Sequence, residues 1–257
     1  MKEKIYTIPL MDAFKAEDEC PFCFIQRNLE QYAISFILGS GSAYMEDDIR
    51  METDKTGFCR THYKMMYDYG NRLGSALILS THMKKMNEDL KKQMKEFKPG
   101  KSSMFAKMKK VDSAKMSAQT ALGQWIEQQE ESCYVCNHIA ENYPRYLDTF
   151  FEMYQKDPQF VELVKKSKGF CLLHLKDLVE WGDKKLSDKK KEEYYSLIFR
   201  LMEENMTRLQ GEVELFTEKF DYQNKDKPWG NSKDSIQRCM QKLGSGYPAD
   251  PVFQADR

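Results

Sequence analysis

Apolar side chains recur at three- and four-residue steps over most of the chain. After Cys20 the series Phe22, Ile25, Leu29, Tyr32 and Phe36 forms one stripe, because residues at those spacings share a helix face. A longer series, Ile198, Met202, Met206, Leu209, Val213, Phe216 and Phe220, predicts a helix that follows Ser187, a residue type suited to the N-cap. Asp157-Pro158 predicts another start, with aspartate as cap and proline at the first helical position, where no N–H is needed. Met66, Leu73 and Leu77, then Met83, Met86, Leu90 and Met94, make a less regular stripe. No stretch of comparable length alternates with period two. The pattern predicts an all-α chain.

Punctuation of the helices exposes a repeat. CPFC at Cys20 to Cys23 and GFCRTH ending at His62 return as CYVC at Cys133 to Cys136 and GFCLLH ending at His174. Cys20 and Cys133 are 113 residues apart, while the Cys59–Cys171 and His62–His174 spacings are both 112. Matched offsets of this kind indicate an internal duplication. Each copy holds a CxxC, a helical stretch, a short connecting helix, and a GFCxxH that opens a long helix. The expected organisation is a first metal-binding helical unit over 1–97, a basic linker and connecting helix over 98–130, a second metal-binding unit over 131–221, and a tail over 222–257. In the tail, a Pro-Trp-Gly turn leads to one short helix, capped near Asn231 or Ser232 and ending at Gly244. Residues beyond Gly244 read as irregular and poorly anchored.

Six of the seven cysteines and two of the four histidines sit in these motifs. A CxxC turn brings two sulfurs close enough to share one ion, and C-x-x-H at a helix start puts two more ligands on one face. Gly57 and Gly169 allow the backbone turn before each Cys-x-x-His, and Phe58 and Phe170 can pack beneath it. Two Cys3His sets result: Cys20, Cys23, Cys59 and His62, then Cys133, Cys136, Cys171 and His174. Each set is expected to close within its own unit, since short loops lose less entropy on closure than long ones. Exchange of half-sites between the units is the alternative that spacing leaves open. Four protein ligands leave no open coordination position, which points to two structural zinc ions. An iron–sulfur cluster with one histidine ligand is the alternative cofactor. Buried cysteines that only pack would not need duplicated spacing. A redox dithiol lacks the βαβ setting such motifs use and leaves the matched Cys-x-x-His unexplained. His138, two residues past Cys136, is a competing ligand in sequence; His82 reads as structural or solvated.

Charge and composition narrow the function classes. Forty basic and forty acidic side chains cancel, so no field draws the whole surface to nucleic acid or membrane. The N-terminal stretch has no apolar run of signal-peptide type, and the longest apolar patch, Tyr32 to Leu38, is too short to span a bilayer. Cytoplasmic residence is expected, and in a reducing compartment paired cysteines favour metal or redox work. From Lys84 to Lys115 eleven lysines face four acids, with methionines interleaved. Such a stretch suits either a solvated helix and linker or a docking segment for an acidic protein partner. Without arginine it suits nucleic acid poorly. GKS at Gly100 to Ser102 lacks the first glycine of a phosphate loop, and HExxH is absent. No nucleophile with a partner base can be picked out. The reading that follows is a non-catalytic zinc-binding scaffold or interaction module. A thiol-based redox or metal-responsive protein is the rival, and a nucleic-acid binder using the basic linker is a third class.

The repeated CxxC … GFCxxH, together with the tail DYQNKDKPWGNSKD, resembles a family of uncharacterised bacterial and archaeal proteins defined by a domain of unknown function. The resemblance spans nearly the whole chain. It implies a cytoplasmic prokaryotic protein with paired metal sites, and it implies no reaction.

Overall fold

The structure, a computed structural model, describes residues 5–99, 118–246 and 248–255. Among them are eleven α-helices and no strand: α1 (Thr7–Lys15), α2 (Pro21–Leu38), α3 (Asp47–Thr56), α4 (Arg60–Tyr69), α5 (Arg72–Glu96), α6 (Ala121–Glu131), α7 (Tyr134–Lys156), α8 (Pro158–Lys166), α9 (Leu172–Lys185), α10 (Asp188–Glu218) and α11 (Ser235–Gly244). The chain is all-α. Its helix starts follow local chemistry. Asp157 accepts from the N–H groups of Gln159 and Phe160 with Pro158 at the first position of α8, and Thr120 accepts from Gly123 N–H at the start of α6. Ser187 holds the N-cap position of α10 without a side-chain cap bond.

GFCxxH does not open a long helix in either half. It opens α4, ten residues long, and α9, fourteen residues long. Gly70, at φ +95°, ends α4, and Asn71 starts α5 afresh by accepting from Gly74 N–H at 2.8 Å. The apolar periodicity resumes across this break, which is why it reads as one helix in sequence. In the second half the break falls at Leu186 and Ser187.

Packing divides the chain into two compact units that do not follow chain order. One comprises Met1–Leu29 and Ile139–Pro251; the other comprises Glu30–His138 and Val252–Arg257. The dividing points fall inside α2 and inside α7. This division differs from the sequential segments 1–97 and 131–221.

In the first unit, α1 and α8–α11 join the start of α2 and most of α7 around a core of aromatic rings. Phe14 meets Phe160 with ring centroids 5.1 Å apart, and Phe22 meets Phe150 at 5.7 Å. Phe22, Phe150, Phe160 and Phe170 have no exposed surface. The buried stripe of α10 is Tyr194, Leu197, Ile198, Leu201, Met202 and Leu209. Tyr194 stays buried because its hydroxyl donates to the Leu178 carbonyl at 3.2 Å. Helix α11 packs on α9 and α10. It begins at Ser235, later than the Asn231 or Ser232 cap expected, because Ser232 closes a turn by donating to the Trp229 carbonyl. Asp250, beyond it, pairs with Arg27 at 2.9 Å.

In the second unit, α3, α4 and α6 pack against α5. Its buried apolar side chains include Ile34, Ile37, Leu38, Phe58, Met66, Tyr69, Ile78 and Val135. Phe253 packs against Tyr69 with ring centroids 5.4 Å apart, and Ala255 N–H donates to the Tyr69 carbonyl at 2.9 Å. Phe253 and Ala255 are thus better anchored than the composition of the tail suggests. The lysine-rich segment is described only as far as Lys98, within and just after α5; Lys101, Lys107, Lys109, Lys110 and Lys115 lie outside the described residues. Among the described residues no helix is long and apolar enough to cross a membrane.

Phe150→Ala should lower unfolding free energy in a denaturant titration by ~3–5 kcal/mol, the range for removing a buried aromatic ring. Met51→Ala, at a position 70% exposed, should change it by no more than ~0.5 kcal/mol. Equal effects would contradict the assigned core.

Candidate metal centres

Four helices begin at a cysteine. Cys20 precedes α2, Cys59 caps α4, Cys133 precedes α7 and Cys171 caps α9. Three residues on, one turn inside each helix, stand Cys23, His62, Cys136 and His174. Cys59 (φ −73°, ψ 167°) and Cys171 (φ −75°, ψ 164°) have nearly the same backbone conformation. Each follows a left-handed glycine two residues earlier, Gly57 at φ +57° and Gly169 at φ +76°. Only glycine takes such angles without strain. At Gly57 a Cβ would also lie 2.8 Å from His82 Nε2.

The eight side chains form two clusters, but not the two expected. Cys20, Cys23, Cys171 and His174 make one; Cys59, His62, Cys133 and Cys136 make the other. Each CxxC faces the Cys-x-x-His from the opposite half of the sequence, so the within-copy pairing is corrected. Loop closure is too weak to enforce that pairing. Joining Cys23 to Cys171, 148 residues away, costs only ~1.2 kcal/mol more than joining it to Cys59, by the logarithmic growth of loop entropy. Burial of Phe22 and Phe170 in one aromatic core outweighs a difference of that size.

The two clusters have the same internal geometry. In the first, His174 Nδ1 lies 3.1 Å from Cys171 Sγ, 3.3 Å from Cys20 Sγ and 3.5 Å from Cys23 Sγ, with Cys23 and Cys171 sulfurs 3.7 Å apart. In the second, His62 Nδ1 lies 3.1 Å from Cys59 Sγ, 3.2 Å from Cys133 Sγ and 3.5 Å from Cys136 Sγ, with Cys59 and Cys136 sulfurs 3.9 Å apart. Tetrahedral zinc bonds imply S···S of about 3.8 Å and S···N of about 3.6 Å. The donor atoms therefore fit one ion per cluster after small adjustments of the imidazoles. Both rings present Nδ1 to the sulfurs and turn Nε2 away; His62 Nε2 faces Glu30 Oε1 at 3.6 Å.

Electrostatics of the clusters favour a cation. Burial, reinforced by Cys171 and Cys23, pushes the Cys20 thiol well above its usual range, and the contact with Cys171 pushes Cys23 up to about 12. Cys171, accepting from both, is held well below that range. In the second cluster burial opposes ionisation of Cys133, but its contact with His62 brings it down to about 6. Burial likewise opposes the charge on His62, which Cys133 and Glu30 raise to about 10. Cys136 is pushed up by burial and by the Cys133 charge. Neighbouring thiolates repel, so three of them share one site only around a cation. Two helix N-termini converge on each cluster and add their positive ends.

The supports of the clusters differ. In the second, Tyr134 N–H donates to the Gly57 carbonyl at 3.0 Å, tying the two half-sites together through backbone. His82, buried, packs against Gly57 and donates from Nδ1 to the Asp54 carbonyl at 2.9 Å; the structural reading of this residue holds. In the first, Lys242 and Glu19 are both buried beside Cys20. Nothing in the periodicity singles out Lys242, because it sits on a short helix in a polar tail. His138 joins neither cluster and stacks on Tyr32 at 5.7 Å. Cys239, the seventh cysteine, lies apart, its sulfur 3.8 Å from the Leu209 carbonyl. All four ligands of the first cluster are buried, whereas Cys59 and Cys136 of the second reach solvent.

A family model described as a family of unknown function, DUF6062, matches residues 1–250. No curated protein and no solved structure matches the chain.

The crossed pairing predicts which thiols respond to loss of one ligand. Cys59→Ala should expose Cys133 and Cys136 to alkylation, read by mass spectrometry of peptides, while Cys20 and Cys23 stay protected. Labelling of Cys20 and Cys23 would restore the within-copy arrangement. Because Cys20, Cys23 and Cys136 hold their protons above the usual thiol range, protons compete with metal: affinity should rise with pH and metal should leave as pH falls. Titration of metal release against a chelating dye between pH 8 and about 5 checks the sign.

Proposed function

The chain belongs to the DUF6062 family, and we propose that it is a zinc-stabilised helical module without catalysis, whose two ions are structural. The observation that carries this reading is that each cluster brings four protein donors, three sulfurs and one imidazole, within reach of a single ion. Such a set leaves no open position for substrate or water. Thiolate-rich donors at these separations suit zinc, and the mononuclear spacing of 3.7–3.9 Å between sulfurs favours it over an iron–sulfur cluster, which holds its ligand sulfurs farther apart. The chemistry that the ion supplies is cross-linking: it fixes two helix starts against each other. The task built on this scaffold is binding a protein partner, in a reducing compartment such as the cytoplasm. Elemental analysis of protein purified without a metal-binding tag should give about two zinc equivalents and negligible iron. Removal of zinc by a strong chelator should reduce helicity in circular dichroism, since metal binding is coupled to folding. A brown protein, or unchanged helicity on complete removal, would contradict the proposal.

The exposure of Cys59 and Cys136 favours a second reading for their cluster alone, that of a thiol switch. Under mild peroxide, the Cys133 and Cys136 thiolates would lose two electrons and form one S–S bond. The peroxide O–O bond would break and, with two protons, yield two waters, leaving two of the four ligands for the ion. Peroxide titration should then release one zinc equivalent well before the other, with a Cys133–Cys136 disulfide in the peptide map. Simultaneous loss of both equivalents would leave only the structural reading.

A further inference from the structure

The two clusters share one ligand-atom geometry, but the backbone tie between half-sites differs. In the second cluster Tyr134, which follows Cys133, donates its N–H to the Gly57 carbonyl at 3.0 Å. The matching residue of the first cluster, following Cys20, is Pro21, and the matching carbonyl is that of Gly169. Proline suits the first position of α2 but has no N–H to give. The bond that ties the half-sites of the second cluster is therefore chemically impossible in the first.

A side chain from the far end of the sequence occupies the corresponding place. Lys242 of α11, 1% exposed, donates from Nζ to the Glu19 carbonyl at 2.6 Å and to the Lys168 carbonyl at 2.6 Å. Glu19 immediately precedes Cys20, and Lys168 immediately precedes Gly169 in the turn that delivers Cys171. One ammonium thus bridges the two half-sites through their main chains. Its charge is met by the Glu19 carboxylate at 3.4 Å, itself held by Arg208 at 2.6 Å and Arg238 at 3.2 Å. Buried lysine is rare because an ammonium loses its hydration. Here two carbonyls and a carboxylate replace it.

We infer that Lys242 is a positioning residue for the first metal centre, replacing the backbone hydrogen bond that Pro21 cannot donate, so that α11 is an integral part of that centre. The inference rests on the metal reading above. It assigns the C-terminal helix a role that the second centre, with its own backbone tie, does not need.

The test is Lys242→Met, which keeps the apolar stem and removes the three donors. Zinc stoichiometry, chelator-induced release and cysteine alkylation are measured on full-length wild type and variant in parallel. Hydrogen bonds from a charged donor are strong enough that release from the Cys20 centre should be about tenfold faster or more. Cys20, Cys23 and Cys171 should become alkylated while Cys59, Cys133 and Cys136 keep wild-type protection. Adding Pro21→Ala, which restores an N–H opposite Gly169, should recover much of the retention; a merely space-filling lysine would not be rescued this way. Equal release from both centres, wild-type retention in Lys242→Met, or no rescue by Pro21→Ala would each overturn the assignment. A wild-type protein with no zinc would instead overturn the metal reading, and this inference with it.

Discussion

The fold depends on convergence of helix N-termini in pairs, each pair closed by three sulfurs and one imidazole. A helix start has unpaired N–H groups and a positive end, which makes it a good neighbour for thiolates. It also lets a motif of four residues present two ligands on one face, one at the cap and one a turn further in. Two such starts facing each other supply four ligands and no more. The aromatic side chains next to the ligands, Phe22 and Phe170 in the first unit and Phe58 and Tyr134 in the second, then fix which starts can meet. The Cys/His clusters and the hydrophobic core thus select the same pairs.

Crossing of the half-sites has a consequence for cooperativity. Each half of the sequence supplies one CxxC and one Cys-x-x-His, yet each compact unit needs ligands from both halves. Neither half can complete a centre alone. The first centre is wholly buried and is braced by charge from the C-terminal helix; the second is braced by a single backbone bond and opens to solvent at two of its sulfurs. Equivalent ligand sets therefore differ in access, and access governs how fast a thiolate site meets oxidant or chelator.

Much of this was legible in the sequence. Apolar periodicity identifies the helical class and the buried parts of two stripes, Phe22, Ile25 and Leu29 in α2 and Ile198, Met202 and Leu209 in α10; Tyr32, Phe36 and Phe220, read as their continuations, are exposed. Asp157-Pro158 identifies the start of α8, and motif spacing identifies all eight side chains of the two clusters. The pairing was not legible, because spacing along the chain ranks closures only by loop entropy, a term of about 1 kcal/mol here, while contacts between distant residues decide the outcome. The break at Gly70 was hidden by periodicity that continues through it, whereas Ser187 marked the start of α10. Lys242 was hidden for another reason. Its partners are main-chain carbonyls of Glu19 and Lys168, and a carbonyl leaves no mark on the residue type that carries it. Pro21 was the available signal, since a proline after Cys20 where Tyr134 follows Cys133 forbids a bond and invites a substitute.

The central claim is the crossed composition of the two centres. On the proposed metal reading, cadmium-113 loaded into the protein should give two resonances, each correlated through bonds with the β-protons of its own cysteines. The account predicts one cadmium coupled to Cys20, Cys23 and Cys171, and another coupled to Cys59, Cys133 and Cys136. A single cadmium correlated with both Cys20 and Cys59 would contradict it.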